Sequence, residues 1–126
     1  MEILGMDHVV LTTADLAACL DFYGRVLGLT VWQENGRYSL HFGRQKINLH
    51  TRPAEFLPAA AHPTAGSLDF CFAAGGSLKE ARSALLARGA VIDGDEIARH
   101  GAQGAMKSLY LRDPDGNLVE LGFYDP

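Results

Sequence analysis

Two cysteines are all that the 126 residues contain. Cys19 and Cys71 lie far apart, without C-x-x-C spacing, so neither a disulfide framework nor a cysteine zinc site is expected, and both thiols are predicted to be reduced and packed. Cations are scarce as well. The 11 Lys and Arg against 15 Asp and Glu give a formal net charge of -4, and they are scattered rather than clustered. A nucleic-acid duplex or an anionic bilayer needs a basic footprint, so neither is an expected partner. No apolar run approaches the length of a membrane span, and Glu2 follows Met1 with no basic and then apolar leader. The expectation is a cytoplasmic protein whose partner is a small molecule.

What is present is enough hydrophobic material, 48% of the residues, to bury the core of one domain without a covalent staple. Residues Ile3 to Thr12 alternate as a strand, with Val9 and Leu11 on one face and His8, Val10 and Thr12 on the other. Asp15 is a helix N-cap, Leu16, Leu20, Tyr23 and Leu27 follow at helical spacing, and Gly28 supplies the left-handed stop. Leu29 to Glu34 and Arg37 to Phe42 form a hairpin around Asn35-Gly36, and Lys46 to Thr51 adds a strand. Residues 53–66, with Pro53, Pro58 and Pro63, read as a linker.

The second half repeats the order. Ser67 to Ala73 is a strand, Ser77-Leu78-Lys79-Glu80 has the form of a capping box ahead of a helix stopped by Gly89, and Ala90 to Ile97, Ala105 to Leu111 and Leu118 to Tyr124 are three more strands. Asp69 lies 61 positions after His8, and Gly89 lies 61 after Gly28. Glu120 lies 70 after His50, nine more, so the second copy carries an insertion. It is expected between Asp93 and Gly104, as a loop able to cover a ligand. The predicted fold class is α+β: two tandem β-α-β-β-β modules, residues 1–52 and 67–126 of a single domain, forming a cup-shaped mixed sheet with helices on the convex side.

Alternation sends His8, Val10, His41, Asn48, His50, Asp69, Cys71, Tyr110 and Glu120 to the inner faces. Imidazoles and carboxylates from different strands are the kind of set that binds a divalent metal such as Zn, Ni, Mn or Fe. The ordinary alternatives are a hydrogen-bonded cavity histidine and a carboxylate solvated in an open cleft. No local motif decides between them.

Three stretches carry a resemblance. Asp7-His8-Val9-Val10-Leu11, Asp21-Phe22-Tyr23 with Val26-Leu27-Gly28-Leu29, and Asp113-Pro114-Asp115-Gly116-Asn117-Leu118-Val119-Glu120 occur in the order found in the vicinal oxygen chelate superfamily of glyoxalase I, extradiol dioxygenases and the fosfomycin and bleomycin resistance proteins. Phe42-Gly43, Gln45 to His50, Glu55-Phe56-Leu57-Pro58 and His62-Pro63-Thr64 resemble a branch of small glyoxalase-domain proteins, some described as virulence-associated.

The resemblance implies metal ligands at His8, Asp69 and Glu120. The module-one strand offers Asn48 or His50 for the fourth place, and His50 is chosen because imidazole is the better donor. Bacterial glyoxalase I resembles the order His, Glu, His, Glu, so the same inventory is present here with positions exchanged. The implied function is a divalent-metal-dependent lyase or isomerase of the lactoylglutathione lyase type. Its substrate would carry vicinal oxygens and pass through a metal-stabilised enediolate, with Glu120 as the base and His41, Asn48 and Tyr110 as substrate contacts. Extradiol ring cleavage through His8, His50 and Glu120 and ligand binding without chemistry, as in the bleomycin-sequestering proteins, are the alternatives. A homodimer is implied by resemblance alone.

Overall fold

The computed structural model describes residues 1–124; residues 125 and 126, assigned above to module two, lie outside the described residues. The chain divides into two compact units, Met1–Gly66 and Ser67–Pro126, each with its own sheet. In order, the first unit contains β1 (His8–Thr12), α1 (Leu16–Leu20), β2 (Thr30–Glu34), β3 (Arg37–Phe42) and β4 (Gln45–His50). The second contains β5 (Asp69–Ala73), α2 (Leu78–Ala87), β6 (Ile97–Gly101), β7 (Gly104–Arg112) and β8 (Leu118–Tyr124). The sheet orders are β1-β4-β3-β2 and β5-β8-β7-β6, with β1–β4 and β5–β8 parallel and the remaining pairs antiparallel. The α+β class and the repeated β-α-β-β-β order therefore hold.

Local chemistry accounts for the boundaries. Asp15 caps α1 by accepting the Ala18 N–H at 3.1 Å, and Ser77 caps α2 by accepting from Glu80 N at 3.3 Å. After Leu20 the first helix widens into a π-helical stretch, Asp21–Val26, which presents Gly24 to β2. A Cβ on Gly24 would lie 2.9 Å from Val31 Cγ2, so only glycine lets the helix come this close to the sheet. Asn35 and Gly36, at φ 52° and 74°, form the tight turn expected between β2 and β3.

The apolar faces build the cores. Leu11, Leu40, Ile47 and Leu49 are buried in the first unit, with Cys19, Tyr23 and Val26 from the helical segment. Leu109, Leu111, Val119, Leu121 and Phe123 are buried in the second, with Leu85 of α2. Each such side chain contributes about 1.5–3 kcal/mol when fully withdrawn from water.

The Asp113-to-Asn117 turn is a clasp. Asp113, only 4% exposed, accepts from the backbone N–H groups of Asp115 and Asn117 and from Asn117 Nδ2 at 2.7 Å. Asn117 Oδ1 then accepts from Leu68 N at 2.8 Å, tying the turn to the entry of β5. This stretch positions Glu120 through its own folding.

Three expectations need correction. Residues 3–7 are not part of β1, and Ile3, Leu4 and Met6 are exposed. The inserted loop at 93–104 is also absent: residues 97–101 and 104–112 are the paired strands β6 and β7, joined at Gly101 and Gly104. The extra length precedes β6, at 90–96, and lengthens β7 to nine residues against six in β3. Asp93 N donates to Tyr110 O at 2.8 Å, so this extra chain is tied to β7 and is no lid. The alternation in Ala90 to Ile97 suggested a strand one segment too early.

Candidate functional site

In the first unit the pairing registers put His8 and Val10 of β1, Lys46, Asn48 and His50 of β4, Arg37, Ser39 and His41 of β3, and Trp32 of β2 on one face. His8 Nδ1 lies 2.8 Å from Asp7 Oδ1. That hydrogen bond, with the charge of His8, holds the Asp7 carboxyl below the usual carboxylate range. An ionised carboxylate can only accept, so Nδ1 is the donor and Nε2 is the nitrogen left for a metal or substrate.

His41 Nε2 and Ser39 Oγ lie 2.9 Å apart, and the His41 ring stacks on Trp32 with centroids 4.0 Å apart. His50 is 8% exposed and meets Phe56 edge-on at 5.2 Å, while the Arg37 guanidinium carbon sits 3.7 Å from the Phe56 ring centre. Phe56 comes from the linker. Arg37, Ser39, His50 and Phe56 line a pocket of about 580 Å³ with Glu34, Lys46 and Asn48, and His41 and Trp32 stand beside it, next to Ser39.

In the second unit the equivalent face carries Asp69 and Cys71 of β5, Glu120 of β8, Ser108 and Tyr110 of β7, and Arg99 of β6. Fully buried Ser108 donates its hydroxyl proton to Glu120 Oε2 at 2.6 Å. Arg99 Nε donates to Tyr110 Oη at 2.9 Å, which raises the guanidinium pKa; the negative charge of Glu120 adds to it. Desolvation, and then the charge of Glu120, push the Cys71 thiol up to about 11, so it is protonated at neutral pH. The face closes beyond Glu120, where a Cβ on Gly122 would lie 2.5 Å from Met106 Sδ and 3.1 Å from Cys71 Sγ. A larger hollow, about 780 Å³, opens at the start of α2 beside Lys107 and Phe123. Those two side chains belong to the opposite sheet face, so this hollow is not the one that Glu120 serves.

The expected donors divide between the units, His8 and His50 in the first and Asp69 and Glu120 in the second. Among the described residues no three His, Cys, Asp or Glu side chains form a group that could hold a metal ion. The registers also bear on the fourth place. Val10 pairs with Asn48 and Cys71 pairs with Glu120, and Val10 and Cys71 are themselves repeat equivalents, 61 positions apart. Asn48 is thus the counterpart of Glu120, and His50 lies one inward position further along β4.

The sequence profile of the Glyoxalase/Bleomycin resistance protein/Dioxygenase superfamily matches residues 5–121. The chain belongs to this superfamily. It is 43% identical over 120 residues to virulence protein STM3117 of Salmonella typhimurium, covering 94% of this chain and 83% of that one. The crystal structure of STM3117 superposes with a TM-score of 0.94 over 99% of this chain and 100% of the other. The glyoxalase domain-containing protein RDO1 of Mycosarcoma maydis is 42% identical over 125 residues, 98% of this chain and 70% of its own length. A lactoylglutathione lyase from Agrobacterium tumefaciens is more distant, at 27% identity and a TM-score of 0.75 over 98% of this chain and 96% of that one. The virulence-associated, glyoxalase-domain branch is therefore the right one.

Within this superfamily domain, several residues now seen on the polar faces escaped sequence reasoning. Ser108 was accessible to it, because it lies two positions before Tyr110 on the same strand face. Arg99 was assigned to a loop, and its strand position hid there. Phe56 had no legible signal, since a linker residue follows no periodicity.

Proposed function

We propose that this superfamily member is a divalent-metal-dependent enzyme of the glyoxalase type, a lyase or isomerase acting in the cytoplasm on a small substrate with vicinal oxygens. The observation that carries the reading is that His8 and Glu120 are each anchored at one atom. Asp7 holds Nδ1 of His8, and Ser108 holds Oε2 of Glu120, so that Nε2 and Oε1 are the atoms a ligand would meet. Anchoring of this kind fixes ring and carboxylate orientation at metal sites. The donor chemistry of His8, His50, Asp69 and Glu120, two imidazoles and two carboxylates, fits a divalent transition ion, with Asn48 the competitor for the fourth place. When bound, the ion supplies Lewis-acid polarisation of the two substrate oxygens.

The protein's own work is proton movement. Oε1 of Glu120, displaced from its ligand position once the substrate is in place, takes the proton from the carbon beside the carbonyl and returns it to the neighbouring carbon, while Ser108 keeps Oε2 in place. Tyr110, the cross-strand partner of Glu120, presents its hydroxyl to the substrate with Arg99 behind it. His41 and Asn48 contact the substrate from the first unit. The test is elemental analysis of untagged protein beside His8→Ala and Glu120→Ala. About one metal per chain in the parent, lost in both variants, supports the reading. It fails if titrated metal binds parent and variants alike.

A second reading, a binding protein without chemistry, is favoured by the ligand-sized pocket of the first unit. Under that reading ligand affinity is the same with metal stripped and in the Glu120→Ala variant.

A further inference from the structure

The pocket of the first unit has a chemistry of its own. Its walls combine π-faces with cations, and none of the ion pairs among the described residues uses Arg37 or Lys46. The Arg37 guanidinium carbon lies 3.7 Å from the centre of the Phe56 ring, a cation–π contact that holds the planar head group at the pocket wall. The N–H groups around the edge of that plane form the fork that matches a carboxylate. Lys46 lies on the same sheet face, directly across from His41. Glu34, the hairpin partner of Arg37, is the one carboxylate lining the pocket, so two cations face a single anion.

Beside the pocket stands Trp32. It is 54% exposed although one ring face is taken by His41, and its neighbour across the hairpin is Ser39, a pocket residue. An indole left half in water next to cations and amide groups offers stacking area that the fold itself does not use. Asn48 and His50 add hydrogen-bonding groups to the same wall.

We infer that this pocket is a subsite for a planar organic anion, a conjugated or aromatic carboxylate. Its charged end meets Arg37 and Lys46, and its ring plane lies along the Trp32 and His41 edge. The inference goes beyond the metal chemistry and does not depend on it, because every residue named lies in the first unit and only His50, with Asn48 as its competitor, is also a proposed metal ligand. Arg37 supplies the directional contact, Lys46 supplies charge, and Trp32 selects for planarity.

The probe is 2-naphthoate, titrated into the full-length, metal-stripped chain and followed by two-dimensional NMR. Trp32 is the single tryptophan, so its indole N–H resonance is unambiguous. The comparators are 2-naphthamide, with the same plane and no charge, and cyclohexylacetate, with the charge and no plane. The expected result is a saturable shift of the Trp32 indole with 2-naphthoate at a Kd of about 1 mM or tighter. Both comparators should bind roughly tenfold more weakly, the size of one charge-assisted or stacking contact. Arg37→Ala and Lys46→Gln should each weaken 2-naphthoate without shifting the amide, and Arg37→Lys should restore only part of the loss. Spectral dispersion reports whether each variant folds, and Lys46→Gln serves if Arg37→Ala does not.

Equal binding of acid and amide overturns the inference, as does a Trp32 resonance that does not move to saturation. The titration uses metal-stripped protein, so no metal ligand has to be occupied for 2-naphthoate to bind. Failure of the metal reading in elemental analysis is therefore separable from failure here.

Discussion

Ser108 and Glu120 are joined by a 2.6 Å hydrogen bond that is buried on the serine side and half-buried on the carboxylate side. The two residues sit on neighbouring strands, β7 and β8, and Ser108 is paired directly with Gly122 rather than with Glu120. The contact is thus a diagonal one, reaching along the sheet face. A hydroxyl spent this way orients a carboxylate.

Replacing Ser108 with alanine removes that orientation with little effect on the fold. Zinc or nickel affinity by calorimetry should fall by about 10- to 100-fold, the range typical of partners that orient metal ligands. Ser108→Thr, which keeps the hydroxyl, should recover much of it. Unchanged affinity in Ser108→Ala would remove Ser108 from the site.

The fourth donor is decided by comparing His50→Ala with Asn48→Ala. Donor strength favours His50, and loss of an imidazole ligand should abolish stoichiometric metal binding while Asn48→Ala retains it. The opposite result would mean that repeat symmetry, which equates Asn48 with Glu120, governs the site.

Cys71 provides a pH readout of the same face. Its thiol is pushed up to about 11 by desolvation and by the charge of Glu120, and only the thiolate is nucleophilic. Iodoacetamide labelling of Cys71 should therefore be slow at pH 7–9 and rise through pH 11. In Glu120→Gln the repelling charge is gone, the thiol ionises at lower pH, and the rise should move down the scale. A labelling profile identical in both proteins would contradict the coupling.

Asn117 carries stability rather than chemistry. Asn117→Ala strips the acceptor from Leu68 N and a donor from buried Asp113. The expected cost is about 2–4 kcal/mol, read as a lower urea midpoint at unchanged slope, because buried partners are left unpaired. A change within about 0.5 kcal/mol would show that water replaces the amide.

Much of this could be read from residue order. Period-two alternation placed His8, His41, Asn48, Asp69, Tyr110 and Glu120 on the polar faces, and the registers agree, because a strand gives its side chains only two directions. Asn35-Gly36 specified its turn through the positive φ that both residues tolerate. Helix ends were equally legible from Asp15, Ser77, Gly28 and Gly89, since caps and stops are local.

Pairing was not local, and there the reading went astray. Which residue of β4 faces Val10 depends on how two distant strands slide together, so the equivalence of Asn48 and Glu120 emerged only from the register. The first strand of the hairpin, at 97–101, was mistaken for part of a loop because glycines at 101 and 104 look alike in a turn and in a lid, whereas Ala105 to Leu111 was rightly read as a strand. Phe56 beneath Arg37, and Ser108 reaching Glu120, are contacts between side chains brought together by folding. By itself the sequence determined the elements, the repeat and the polar faces, which follow from short-range sterics and alternation. Tertiary structure alone decided which polar groups on those faces hold one another, because that depends on strand register and on where the linker folds back.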